Sequence, residues 1–168
     1  MAYKITGKAG YSPQIGHLVS MMDYARETTL NAVHGLTTKQ LDYLPGNNSN
    51  TIGALLFHMA AMEFGFQIEL FEGREPNQQE MKDWGAAYSL GNQGREEIRG
   101  YPLDYYLDKL EKVRHRTLAE FKKHNDDWLY QSRQWDGHSS NNYFIWFHVM
   151  EDEINHRGQI RIQRKLVE

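Results

Sequence analysis

The sequence predicts an all-α protein, a four-helix bundle with a long crossover connection between its second and third helices. Three observations carry this expectation. Four stretches place apolar residues at helical spacing between recognisable start and stop signals. No stretch alternates convincingly enough to read as a strand. A glycine-punctuated segment, residues 74–101, separates the second helix from the third. Amphipathic helices must bury their stripes against one another, which gives a bundle. A connection as long as 74–101 is uncommon within a compact domain and favours a crossover or a lid.

Taken in order, residues 1–11 are a loose lead-in containing Gly7 and Gly10. Ser12 and Pro13 form an N-cap and N1 pair. The first helix, Gln14–Val33, follows with Ile15, Leu18, Val19, Met22, Ala25, Leu30 and Val33 in helical register. Gly35 stops it. Thr37 and Gln40 make a capping box for a short helix Thr38–Leu44, ended by Pro45-Gly46. Asn50 or Thr51 caps the second helix, Thr51–Glu72, which stops at Gly73. His58 falls at or beside its inward face. Within 74–101 a short helix is expected over Gln78–Asp83. Pro102 opens the third helix, Leu103–His124, and Asn125-Asp126-Asp127 breaks it. One turn at Trp128–Ser132 and a loop at Trp135–Asn141 (WDGHSSN) lead to the last helix, Asn142–Val167, capped by Asn141.

Composition narrows the function classes. The 168 residues read as one domain, 1–168, with 40% hydrophobic and 24% charged residues, an ordinary globular balance. The net charge of -3 and the lack of a basic stripe leave no electrostatic footprint for nucleic acid. Cysteine is absent, which excludes disulfides, thiolate metal sites and a protein thiol nucleophile. No apolar signal core is visible and no apolar run approaches about 20 residues, so no membrane partner and a cytoplasmic location are expected.

The last helix carries the chemistry. His148, Asp152 and His156 stand at i, i+4 and i+8 and share one side of it. A wheel centred on Asp152 puts Ile145, Val149, Gln159, Ile160, Gln163 and Leu166 on that side, marking it as core-facing. Buried imidazoles and carboxylates are costly unless paired or bound to metal. Asp152 and His156 either present two ligand atoms at one height or form an ion pair that holds the helix in place. His58 is the inward histidine on another helix that can close a metal site of two imidazoles and one carboxylate. Three ligands leave coordination positions open, as at catalytic or substrate-binding metals. His148 is a fourth ligand, a residue orienting Asp152 from behind, or a packing residue. On the opposite face Phe147, Met150, Ile154 and Gly158 form an apolar outer stripe. It is either a homodimer interface or the seat of the 74–101 segment.

These residues resemble a known group. HVMEDEINHRGQI in the last helix, LTTKQLDYLPGNNSNTIGALLFHMAAME after the first helix and WDGHSSN before the last are similar to the DinB-like (DinB/YfiT-type) metalloenzyme superfamily, over nearly the whole chain. The resemblance implies a four-helix bundle with a crossover, usually a homodimer, and a divalent metal, nickel or zinc, held by three side chains. Its ligand positions fall on His58, Asp152 and His156. Asp152 departs from the commoner histidine, although the mycothiol-dependent isomerase branch also has a carboxylate there. Relatives include transferases that use a low-molecular-weight thiol such as bacillithiol or mycothiol, which the absence of cysteine accommodates. The expected function is therefore a metal-dependent thiol S-transferase, with a metal-dependent hydrolase or a non-catalytic metal- or ligand-binding module as alternatives.

Overall fold

The protein, seen in a computed structural model that describes residues 4–167, is mostly helical with one small two-stranded sheet. Helix α1 runs Pro13–Val33. Ser12 occupies its N-cap position with Pro13 following, but the hydroxyl accepts nothing from the helix. It donates to Asp126, whose Oδ1 also accepts from the backbone N–H groups of Gln14 (3.0 Å) and Ile15 (3.2 Å). A carboxylate distant in sequence thus caps α1, satisfying N–H groups that a helix start leaves unpaired. The capping box at Thr37 and Gln40 is present, and the helix it opens, α2 (Thr38–Leu41), stops short of the expected Leu44.

Helix α3 spans Ile52–Gln67 from its Thr51 cap, continues as a π-turn over Ile68–Glu72 and closes at Gly73 with φ 64°. Together these 21 residues are long and apolar enough to span a membrane, with mean hydropathy 1.2, and 67% of the most apolar stretch is buried inside the protein. Glu63, Gln67, Glu69 and Glu72 break it into shorter apolar runs in the sequence. It is apolar on every side because α6 (Leu103–Phe121), α8 (Asn142–Val167) and α4 (Gln78–Ser89) all pack against it. Gly53 is needed for one of those contacts: a Cβ there would lie 2.6 Å from the Tyr106 hydroxyl on α6.

The 74–101 segment is more ordered than expected. The helix predicted over Gln78–Asp83 extends to Ser89, and α5 (Gly91–Glu97) follows. Asn77 and Glu80 form a capping box at the start of α4. This segment packs mainly on α3. Helix α6 ends at Phe121 rather than His124, and the expected turn at Trp128–Ser132 is instead α7, Asp126–Leu129, capped by Asn125.

The stretch read as a loop is a β-hairpin. Strand β1 (Ser132–Trp135) pairs antiparallel with β2 (His138–Asn141), Trp135 opposite His138. Asp136 and Gly137 turn the chain with φ of 50° and 75°. Positive φ at both central residues is the demand of a two-residue hairpin turn, and Asp-Gly is its sequence signal. Asn141 then caps α8, accepting from Phe144 N–H at 2.8 Å. Of the side of α8 expected to face inward, Ile145, Val149, Ile160 and Gln163 are buried. Gln159 is exposed although Ile160 beside it is buried, and Leu166 is 57% exposed at the end of α8, beyond the buried interior.

The four long helices contact one another pairwise, α3 with α6 and α8, and α1 with α8 and α6. The buried apolar residues form two clusters, one including Leu41 of α2 with Leu55, Leu56, Tyr106 and Ile160, the other including Leu18, Met22, Phe121, Ile145 and Trp146.

Candidate metal centre

Helix α3 presents His58 and helix α8 presents Asp152 and His156, and the fold brings the three together. His156 Nε2 lies 3.2 Å from Asp152 Oδ1, and His58 Nε2 lies 3.9 Å from Asp152 Oδ2. The two imidazole rings stand edge to face, centroids 5.0 Å apart at 89°. One donor atom from each residue falls within 4.8 Å of the other two. The side chains are 12–16% exposed, at the edge of the interior.

Each ring is oriented from behind. His58 Nδ1 lies 2.8 Å from the carbonyl of Ala87 on α4. A carbonyl only accepts, so Nδ1 carries the proton and Nε2 is left with its lone pair toward Asp152. His156 Nδ1 meets Gln159 Oε1 at 3.1 Å, which turns its Nε2 the same way. Burial pulls the His58 pKa down, and the Ala87 carbonyl and Asp152 only partly offset it. Burial also opposes charge on Asp152 and His156, but their mutual hydrogen bond and attraction outweigh it, holding the Asp152 carboxyl below and His156 above their usual ranges.

Within the triad, one buried atom finds no hydrogen-bond partner among the described residues. Asp152 Oδ2 is buried and accepts no hydrogen bond, since 3.9 Å to His58 is too long for one. A carboxylate oxygen left so is costly unless a cation completes it. Metal–ligand bonds of about 2.0–2.2 Å put neighbouring ligand atoms roughly 3–4 Å apart, the spacing found around Asp152. Two imidazole nitrogens and one carboxylate oxygen, held from behind, are a donor set that can hold a divalent ion.

The mycothiol-S-transferase family profile matches residues 17–168. The chain belongs to the mycothiol-S-transferase family. That places it within the DinB-like superfamily that its motifs resemble. A crystal structure of a conserved protein from Enterococcus faecalis is similar in fold, with a TM-score of 0.68 over 89% of this chain and 94% of that chain at 16% sequence identity. No functionally curated protein matches the sequence.

Around the triad of this mycothiol-S-transferase family member, His148 packs against aromatic rings. Its ring lies 4.6 Å from the Trp135 ring and meets Phe66 edge-on at 6.3 Å. Its Nδ1 faces Glu151 at 3.2 Å, so the hydrogen bond expected to orient Asp152 goes to a different carboxylate.

Sequence reading missed a second polar cluster. Glu153 points away from the triad as expected, but into the interior, and is 2% exposed. Its two oxygens accept from Arg26 Nε (2.8 Å) and from Arg26 and Arg114 guanidinium nitrogens (3.2 and 3.1 Å). Glu63 accepts from the same two arginines and from Thr117 Oγ1 at 2.7 Å. Each of the four long helices supplies one charge. On each helix that residue falls between members of the two apolar clusters. The signal was a lone charge inside each apolar stripe, such as Arg114 between Val113 and Thr117.

A cleft of about 620 Å³ lies away from the triad. It lies between residues 4–8, α1 and the outer side of α8, lined by Met21, Tyr24, Met150 and Ile154 among others.

Proposed function

We propose that this protein is a divalent-metal-dependent thiol S-transferase, with His58, Asp152 and His156 as its metal ligands and nickel or zinc as the ion. The observation that carries the reading is the partnerless Asp152 Oδ2, buried between two imidazoles whose Nδ1 atoms are both occupied. Membership of the mycothiol-S-transferase family supports the chemistry. The chain has no cysteine, so the sulfur nucleophile comes from a low-molecular-weight thiol such as mycothiol or bacillithiol. A cation held by these three atoms supplies a Lewis-acidic seat for the sulfur and lowers the thiol pKa, favouring thiolate near neutral pH.

The protein's own residues set up that seat. Asp152 gives the site a negative charge, which attracts a divalent ion. Ala87 and Gln159 hold the two Nδ1 atoms, which turns both Nε2 atoms toward Asp152. Three side chains leave positions open for the cosubstrate. The thiol sulfur forms a bond to an electrophilic carbon as the leaving group departs with its electron pair, and the thiol proton passes to solvent.

The reading extends to the whole chain. The four long helices form a four-helix bundle within one domain, 1–168, with α4 and α5 on the crossover. Dependence on a reduced thiol pool suits a cytoplasmic location. The outer face of α8 is a homodimer interface: Phe147 and Ile154 are 43% and 38% exposed there, and the crossover packs mainly on α3. A Phe147→Asp variant should run as a monomer in size-exclusion chromatography with light scattering, against a dimer for the wild type. A monomeric wild type removes the interface.

Elemental analysis of untagged protein tests the site. About one divalent ion per chain is expected, lost in His58→Ala and His156→Ala. Stoichiometric metal retained in both variants removes the site assignment. Metal without turnover across a panel of thiols and electrophiles moves the reading to a metal-binding module.

A further inference from the structure

We infer that Trp84 is a positioning residue for the triad: it pins α4 onto α3 so that the Ala87 carbonyl holds the His58 ring with Nε2 turned toward Asp152. The inference rests on the proposed metal site and adds a residue remote from it.

The geometry runs in one direction along α4. The Trp84 ring stacks on Phe64 of α3, centroids 4.5 Å apart and nearly parallel at 9°. Its edge meets Phe57 at 5.4 Å and 64°. Phe57 and Phe64 lie two helical turns apart, so Trp84 fills the gap between them. From α6, Lys109 Nζ sits over three rings, Trp84 at 4.9 Å, Phe57 at 5.3 Å and Tyr105 at 5.5 Å. An ammonium over aromatic faces is attracted by the ring quadrupoles and here ties three helices at one point. Ala87 lies one turn beyond Trp84 and is 1% exposed. Its carbonyl meets His58, the residue after Phe57, at 2.8 Å. The pin and the hydrogen bond therefore join the same two short stretches of α3 and α4.

The end of α4 needs such an anchor. Leu90, three residues past Ala87, has φ 54° and ψ -140°, a left-handed backbone that a leucine rarely adopts. The segment does not reach this shape by local preference, so tertiary packing must hold it. The main packing partners of α4 are α3 and α5.

The first readout is the tautomer of His58, from imidazole ¹⁵N shifts in metal-free protein at about pH 8, where His58, its pKa pulled down by burial, is neutral. The wild type should show a single Nδ1–H tautomer. Trp84→Leu keeps an apolar side chain but loses the stack and should give a tautomer mixture. Trp84→Phe should restore the single tautomer. Lys109→Met, which leaves the stack intact, should shift the ratio the same way but less, and it serves if Trp84→Leu fails to fold. The second readout is zinc affinity by calorimetry, expected to fall about 10–100-fold in Trp84→Leu, as for other losses of a group that orients a metal ligand. An unchanged single tautomer in both Trp84→Leu and Lys109→Met overturns the pin, whatever metal the wild type binds. A single tautomer in the wild type, lost in the variants, with no zinc bound by any of them, keeps the pin and overturns the metal reading instead.

Discussion

Glu153 and Asp152 are adjacent on α8 and face opposite ways, and they differ in how fully they are satisfied. Glu153 lies deeper, yet both its oxygens accept from arginines. Burial alone would raise its carboxyl pKa; Arg26 and Arg114 outweigh that and hold it low. Two arginines and two glutamates cancel, leaving no net charge for a ligand to answer. Asp152 lies nearer the surface with one oxygen accepting nothing. Its neighbours are imidazoles, which carry lone pairs as readily as protons. The lesson is that depth of burial does not mark a site. A polar cluster complete within the protein serves structure, and one left incomplete at the edge of the interior calls for a partner from outside.

The sharpest way to break that comparison is to remove one arginine. Arg114→Met leaves Glu63 and Glu153 sharing a single guanidinium inside the protein. Removing one partner of a buried ion pair costs about 3–5 kcal/mol, and urea unfolding should show a loss of that size. Replacing all four charged residues by apolar ones of similar volume should be near neutral. A negligible loss in the single variant means the quartet is not the internally closed unit described. The next effect comes from the other side of α8. A ligand bound only by the native state at about 100 times its Kd stabilises it by about 2.7 kcal/mol. A chelator should lower the Tm of metal-loaded wild type accordingly. Asp152→Asn should abolish that difference while leaving the metal-free protein folded. Equal chelator sensitivity in the variant would separate Asp152 from the metal.

The same contrast explains what could be read from the sequence. The long helices were legible because each repeats apolar residues over several turns between clear caps, Thr51 and Gly73 for α3 being examples. The triad was legible because Asp152 and His156 are local to one helix, with His58 as the one inward histidine elsewhere. The quartet was not. Arg26, Glu63, Arg114 and Glu153 lie on four helices, and nothing in one helix announces its partners on the others. Helix α4 was cut short because Gly85 reads as a breaker, while its hold on α3 depends on the tertiary contacts of Trp84. The hairpin was missed because four-residue strands hold too little alternation to register, although Asp136-Gly137 carried the turn signal.

A third carboxylate places the smallest expected effect between these extremes. Asp126 is partly buried, and its Oδ1 serves the Ser12 hydroxyl and two N–H groups of α1. Partial burial pushes its pKa up, but those donors outweigh it and hold the carboxyl below its ordinary 3.8. The sign follows from linkage. A group whose folded pKa is depressed stabilises fully above its unfolded pKa, and the contribution fades as pH falls through the lower folded value. Asp126→Ala should therefore cost about 0.5–2 kcal/mol at neutral pH, the range for a helix cap. The difference from wild type should shrink once the pH drops well below 3.8. Urea titrations of both proteins across that range test it, and a difference that persists in acid would assign the loss to packing rather than to the charged cap.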